Sequence, residues 1–277
     1  MDTSPSRPTT RTYPHGVPCW VDTEQPDVDA ALTFYGALFG WDFEEKLPPG
    51  SGGRYVVASL GGQDVAAIAS GEGTPEWITY VAVDDVDASS RGVPDLGGEV
   101  LDGPTTVGPA GRTATVRDPQ GATFRLWQPG ARPGAQRVND PGTWNFSVLH
   151  TPDVERALHF YGPLLGWEVD PDLGAGMARV AGYGDHLART VRPEIDEDQK
   201  GAPPGFRDVV AGVVPDGPAR HTVTFAVADR DEAAAAAERA GAVVLSTAYT
   251  EWTRDAEVRD PQGAVLTLSQ FTPPEGF

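Results

Sequence analysis

Two hydrophobic periods alternate along the chain. From Asp27 the spacing is helical: Ala31, Leu32, Phe34, Tyr35 and Leu38 fall on one face, Asp27 is placed to cap the N-terminus, and Gly40 ends the run. Short apolar or alternating runs flank it, residues 19–22 before and 41–45, 55–60 and 65–69 after, broken by Pro-Gly and Gly-Gly pairs; these predict strands and turns in the order βαβββ. The order restarts at residues 77–83, with a weaker helical pattern over 86–96 and strands near Val100, 113–116 and 123–127. Further on, a strand at 221–227 precedes a helix at 231–240, whose alanines suit close packing on a sheet and which Gly241 stops.

The pattern is duplicated. Pro26, Asp27, Ala31, Leu32, Phe34, Tyr35, Gly36, Leu38, Gly40 and Trp41 return 126 positions later as Pro152, Asp153, Ala157, Leu158, Phe160, Tyr161, Gly162, Leu164, Gly166 and Trp167. Val116, Arg117, Asp118, Pro119, Gln120, Gly121 and Ala122 likewise return, 142 positions later, as Val258, Arg259, Asp260, Pro261, Gln262, Gly263 and Ala264. Repetition at both ends of a unit of domain size predicts two homologous domains, 17–128 and 144–273. A Pro- and Gly-rich linker at 129–143 joins them, and a flexible arm at 1–16 precedes them. The Asp-Pro-Gln-Gly segments read as turns, in which Pro presets φ and Gly takes a positive one, and Phe34, Tyr35, Phe160 and Tyr161 read as core.

Composition removes several function classes. The 277 residues carry 21 Lys and Arg against 40 Asp and Glu, a net charge of −19, which repels a polyphosphate backbone and excludes nucleic acid as a partner. Only Lys46 and Lys200 are lysines while Arg, Ala, Gly and Pro abound, so codon usage accounts for part of this bias. No apolar run is long enough to span a membrane and the first eleven residues lack a signal-peptide core, so a cytoplasmic protein with no membrane partner is expected. The lone Cys19 excludes an intramolecular disulfide and a thiolate metal cluster. Phosphate-binding Gly loops, a Gly-Xaa-Ser-Xaa-Gly elbow and a Cys–His pair are all missing.

The doubled helix motif, paired each time with Asp-Pro-Gln-Gly-Ala near the domain end, resembles the vicinal oxygen chelate superfamily of glyoxalase I, bleomycin-resistance proteins and extradiol dioxygenases. Within it the chain is most similar to tandem glyoxalase-like proteins of antibiotic-producing bacteria. The resemblance implies an α+β, tandem vicinal-oxygen-chelate fold: four βαβββ modules forming two cup-shaped mixed sheets. In metal-dependent relatives a His or Gln on the first strand of a module and a Glu on its last strand hold the metal. The matching first-strand positions are Trp20 and Phe146, the last-strand positions are Arg125 and Thr267, and the inner module starts offer Ile78 and Thr222, with His221 one residue out of phase. Neither a metal nor another cofactor is therefore expected, and a metal-dependent dioxygenase or lyase is disfavoured.

Without a metal, the cup is still a concave pocket for a small molecule. Strand parity lines the first cup with Trp20, Asp22, Tyr80, Thr123, Arg125 and Trp127, and the second with Phe146, Val148, His150, Thr222, Thr224, Thr267 and Ser269, with Trp144 at its entrance. The first lining joins aromatic walls to one charge pair; the second is less charged. Trp20, Phe146 and Trp144 either plug a dead cup as core or stack on a ligand. Arg125 either pairs with Asp22 or anchors an anion, and His150 is either a general base or a solvated loop residue. The connection 195–220 either covers a pocket, with Phe206 as its lid residue, or is a surface loop. Two readings follow. One is metal-independent acid–base chemistry on an aromatic or polyketide-like metabolite of secondary metabolism (isomerisation, cyclisation or ring opening) with Asp22 or His150 as base and Arg125 stabilising an enolate. The other is non-catalytic binding or antibiotic sequestration. Either suits a monomer or a homodimer.

Overall fold

A computed structural model describes residues 10–170, 173 and 176–273. The first sheet collects β1 (Pro18–Gln25), β2 (Asp42–Glu45), β3 (Tyr55–Leu60), β4 (Gln63–Ser70), β5 (Trp77–Ala82), β6 (Glu99–Val107), β7 (Gly111–Arg117) and β8 (Thr123–Pro129) in the order β2-β3-β4-β1-β5-β8-β7-β6. Helices α1 (Val28–Phe39) and α2 (Val86–Asp95) follow β1 and β5. The second sheet repeats the plan with β9 (Trp144–His150), β10 (Glu168–Val169), β11 (Met177–Arg179), β12 (Val209–Val214), β13 (Arg220–Ala226), β14 (Val243–Tyr249), β15 (Thr253–Arg259) and β16 (Val265–Phe271), ordered β10-β11-β12-β9-β13-β16-β15-β14. Both sheets are mixed: β1 runs parallel to β4 and β13 to β16, whereas β13 is antiparallel to β9. This is the expected α+β architecture of βαβββ modules in tandem.

The helix signals act as the sequence implies. Asp27 accepts from the Ala30 amide at the start of α1, and Gly40 ends that helix at φ 70°. Asp153 and Gly166 do the same for α3 (Val154–Leu165), and Asp229 caps α6 (Arg230–Arg239). The stretch before β1 is packed from Tyr13 onward: Tyr13 is buried, and the Trp167 indole donates to the Gly16 carbonyl at 2.7 Å. Of the arm expected at residues 1–16, residues 1–9 lie outside the described residues.

The connection 195–220 is more structured than its loop-like composition suggests. It contains the short helix α5 (Ile195–Asp198), a 3-10 turn at Phe206–Asp208, and all of β12. β12 lies between β11 and β9, so its unbroken Val-Val-Ala-Gly-Val-Val is the signature of a strand covered on both faces. The insertion lies instead between β11 and β12, over residues 180–208, and carries α4 (Tyr183–Thr190) and α5, tied by Arg207 to Asp185 and Asp196. Phe206 is half-buried in the 3-10 turn.

Packing groups the modules into two compact units. One holds the chain up to Cys19, Val81–Gly134 and Thr151–Ala219; the other holds Trp20–Tyr80, Ala135–His150 and the chain from Arg220 onward. In the second unit the aromatic side chains at the end of α1 and in the link to β2 meet β5 and β13: Phe225 has ring centroids 4.9 Å from Phe39, 5.7 Å from Trp41 and 4.9 Å from Trp77. In the first unit Tyr161 stacks on Trp167 at 4.9 Å and packs against Phe124 at 5.4 Å. Each unit is locked by an Asp of a repeated turn and a Tyr of a repeated helix. Asp118 accepts from the amides of Gln120, Gly121 and Ala122 and from the Tyr161 hydroxyl. Asp260 accepts from the amides of Gln262, Gly263 and Ala264, from the Tyr35 hydroxyl, and from the Gln25 amide. Burial and the facing carboxylate raise both Tyr35 and Tyr161 well above the usual phenol pKa, so each stays a proton donor.

Candidate functional site

On β1, Trp20 and Asp22 are two residues apart and share a face. Tyr80 on β5 donates to the Asp22 carboxylate at 2.5 Å, and Tyr55 on β3 donates to the same oxygen at 3.3 Å. The Trp20 indole in turn donates to the Tyr55 hydroxyl at 3.0 Å. Trp20, Asp22 and Tyr80 are 8%, 0% and 6% exposed, so the carboxylate has traded water for phenol donors, as a buried carboxylate must. Tyr55 is the member that strand parity missed, because it lies on a strand two places removed from β1 in the sheet. Cys19, on the other face of β1, is buried with its thiol pKa pushed up by desolvation, which removes it as a nucleophile.

On β8, Arg125 stands opposite Thr115 of β7 and its Nε lies 3.4 Å from the Thr115 hydroxyl. Thr123 is half-buried opposite Arg117, and Trp127 is buried with its indole donating to the Arg132 carbonyl at 2.9 Å.

The second sheet offers a different surface. Along β9, β13 and β16, one set of alternate side chains is buried (Ser147 and Leu149; Val223 and Phe225; Leu266 and Leu268) while the other is half-exposed: Phe146, Val148 and His150; Thr222 and Thr224; Val265 and Thr267. Register brings these candidates together, since Phe146 faces Thr224, Thr224 faces Thr267, and Val148 faces Thr222. The His150 Nε2 lies 3.0 Å from the Thr222 hydroxyl. β15 contributes two residues absent from the sequence-based lining: Glu257 opposite Thr267, and Asp255 opposite Ser269. Asp255 accepts from the Ser269 hydroxyl at 2.5 Å and from Thr253 at 2.8 Å. Their signal was the alternation of Thr253, Asp255 and Glu257 with the buried Ala256 and Val258, once β15 is aligned on β16. The second face therefore carries more charge than expected. Trp144 departs from the alternation, because a register shift at the start of β9 sets it opposite Phe225 instead of in phase with Phe146.

His221 lies out of phase with Thr222, as expected, and burial with a lesser contribution from His150 lowers its pKa to about 3. Because the unfolded imidazole binds a proton first as pH falls, its stabilising effect is complete above about pH 6.5 and is lost on acidification towards 3. Between pH 7 and 5 the wild-type chain is expected to lose about 1–2 kcal/mol more stability than His221→Gln, the half-buried ring giving less than the full linkage value. Urea midpoints at the two pH values measure this, and equal losses in both proteins would overturn it.

The metal-ligand positions hold the wrong chemistry. Trp20 and Arg125 present only N–H donors, Phe146 has no polar atom, and Thr267 is a neutral hydroxyl. Among the described residues no three His, Cys, Asp or Glu side chains gather as a metal requires.

Paired βαβββ modules in two eight-stranded mixed sheets define a tandem protein of the vicinal oxygen chelate class. The chain belongs to the Glyoxalase/Bleomycin resistance protein/Dioxygenase superfamily, whose model matches residues 25–126, while a glyoxalase-like domain model matches 134–269. CFP32 of Mycobacterium tuberculosis, provisionally named a glyoxylase, is 36% identical over 94% of this chain and 97% of its own length. The anthracycline biosynthesis protein DnrV of Streptomyces peucetius is 34% identical over 95% of each chain. Among solved structures, the Mn(II)-bound glyoxalase from Novosphingobium aromaticivorans shares the fold with a TM-score of 0.60 at 16% identity, covering 94% of this chain and 84% of that one. No helix among the described residues is long and apolar enough to cross a membrane.

Proposed function

We propose that this glyoxalase-like protein acts on a small aromatic or polyketide-like metabolite of secondary metabolism by metal-independent acid–base chemistry at the half-exposed face of the second sheet. The observation that carries the reading is the contrast between the two linings. Trp20, Asp22 and Tyr80 are buried and linked to one another directly or through Tyr55, whereas Phe146, His150, Thr222, Thr224 and Thr267 lie together on a half-buried face that combines one aromatic ring with four polar side chains. The relationship to DnrV, a protein named for anthracycline biosynthesis, supports the substrate class.

In this reading Phe146 supplies an apolar surface for a planar ring, and Thr224, Thr267, Asp255 and Glu257 bind its hydroxyl groups. His150, oriented by Thr222, removes a proton flanking a carbonyl and returns it at another position, the exchange an isomerisation or cyclisation needs. Asp22 is assigned to holding the first face together, not to catalysis. The donor set at the metal positions supports chemistry without a cation.

Incubation of the purified protein with a panel of hydroxylated aromatic polyketides, followed by mass spectrometry and NMR for isomers of equal mass, tests this. Turnover is expected to survive exhaustive chelation and to fall about 100-fold in His150→Gln with ligand affinity little changed. Loss of activity on chelation would remove the metal-independent mechanism. Tight binding with no product from any member would leave sequestration as the function.

A further inference from the structure

The last two strands of each sheet correspond residue by residue, 142 positions apart, yet the face that carries Arg125 in one copy and Thr267 in the other differs in the sign of its charge. On β7 and β8, Thr113 and Thr115 stand opposite Trp127 and Arg125. On β15 and β16 the same positions hold Asp255 and Glu257 opposite Ser269 and Thr267. One cation on the first face is thus exchanged for two carboxylates on the second, while the alternation of the strands is kept.

Neither carboxylate is neutralised within its own sheet. Asp255 accepts from two uncharged hydroxyls, Ser269 at 2.5 Å and Thr253 at 2.8 Å, and among the described residues Glu257 has neither an ion-pair nor a hydrogen-bond partner. Arg259, two residues beyond Glu257 on the same face, is exposed and pairs with neither of them, and Arg230 reaches the Asp255 carbonyl instead of its carboxylate. Both carboxylates are half-buried, and the β14 residues opposite them, Ala248 and Ser246, are short. Half-burying an unpaired carboxylate costs free energy, and recognition of a hydroxyl does not require it, because Thr224, Thr267 and Ser269 already supply neutral acceptors.

Two aromatic rings stand at the Asp255 end of this face. Phe271 takes the alternate position after Ser269 on β16, opposite Thr253; it is 60% exposed and stacks on Trp252 with ring centroids 6.3 Å apart. The corresponding residues of the first sheet are Pro129 and Ala110, so the aromatics occur only in the copy that holds the carboxylates. Carboxylates and the face of an aromatic ring have one preference in common, a cation.

We propose that the metabolite bound at this face carries a protonated amine, which donates to Glu257 and Asp255 and lies against the ring of Phe271. The assignment rests on the half-exposed face of the second sheet being the ligand site, and adds the charge class of the ligand to it. Glu257, Thr267, Thr224 and Phe146 form one continuous row across β15, β16, β13 and β9, so the amine sits at the end of the ligand away from the ring held by Phe146. An ammonium group has three donors and no acceptor, which matches a carboxylate that has no donor of its own and a second that has only hydroxyls.

Three compounds of one shape test the charge class without any reaction: 2-(1-naphthyl)ethylamine, 2-(1-naphthyl)ethanol and 1-naphthylacetate. Calorimetric titration into the full chain at neutral pH is expected to show the amine binding at least about tenfold more tightly than the alcohol, with the acetate weakest. Glu257→Gln should weaken the amine about tenfold and leave the alcohol unchanged, and Asp255→Asn should act in the same direction. Glu238→Gln, at an exposed position of α6, should change none of the three, which separates a local pair from general attraction to a chain of net −19. Equal binding of amine and alcohol, or amine binding indifferent to Glu257→Gln, would overturn the charge class and leave the ligand site standing. No binding of any of the three at millimolar concentration would remove the site and the charge class together, whereas absence of turnover with the polyketide panel bears on His150 alone.

Discussion

Replacing Asp260 by alanine is expected to destabilise the protein by about 4 kcal/mol, lowering its thermal midpoint by about 10 °C. The carboxylate is 5% exposed, and its two oxygens divide their work. Oδ1 takes the amides of Gln262, Gly263 and Ala264 at 2.9, 2.7 and 2.8 Å, closing the turn before β16, while Oδ2 takes the Tyr35 hydroxyl at 2.7 Å and the Gln25 amide at 2.9 Å. Alanine leaves the Gln262 and Ala264 amides and the Tyr35 hydroxyl without this acceptor in a buried site, while Gly263 keeps the Asp260 backbone carbonyl at 3.2 Å and the Gln25 amide keeps the Thr23 hydroxyl at 3.0 Å; an unmade buried hydrogen bond costs more than a made one contributes. Tyr35 is the most affected, because the Trp77 indole already donates to its oxygen at 3.1 Å and its own proton would have no destination. Asp260→Asn should cost about half as much, since one amide oxygen can still close the turn. Urea denaturation of the two variants measures the difference, and a loss below about 1 kcal/mol for the alanine variant would show the pair to be incidental.

The same pair shows where the sequence is readable and where it is not. That Tyr35 and Tyr161 are core, and that Asp118 and Asp260 begin turns, follows from helical spacing and from turn chemistry. Which Tyr meets which Asp does not follow, because duplication makes the two assignments equivalent. Proximity along the chain favours Tyr35 with Asp118, yet Tyr35 bonds Asp260, 225 positions away. Gln262 adds to the same exchange by receiving the Asp27 amide and donating to the Asp27 carbonyl, each at 2.8 Å. Local patterns specify elements; partner choice between identical copies is a tertiary decision that a symmetric motif cannot encode.

The remaining differences have similarly local causes. β12 is disguised because a strand covered on both faces has no alternation and follows a polar, Pro-rich insertion. Asp255 and Glu257 fall outside the expected lining because their strand contributes to the inner face only through its register with β16. Trp144 leaves that face through a one-residue shift that periodicity cannot foresee. By contrast, Trp20, Asp22 and Tyr80, and likewise Phe146, Thr224 and Thr267, do lie near one another, because regular strands keep parity over their whole length.

Phe225→Ala is expected to cost about 4 kcal/mol and to weaken ligand binding as well, because β13 serves the core on one face and the proposed site on the other. Phe225 is fully buried among Phe39, Trp41 and Trp77, a cluster already held by the Trp41 indole donating to the Gly142 carbonyl at 2.7 Å. Removing the ring opens a cavity that three large, mutually packed aromatics cannot readily collapse to fill, which puts the loss at the upper part of the range for such truncations. Thr222 and Thr224 project from the opposite face of the same strand, so loosening of β13 reaches them through the backbone with no change to any residue in contact with the ligand. Thr224→Val separates the two effects: it removes a hydroxyl from the site while leaving the aromatic cluster intact, so binding should fall with stability nearly unchanged. Paired urea and ligand titrations of both variants provide the check. A Phe225→Ala protein that loses stability but binds with wild-type affinity would place the ligand elsewhere than on β13.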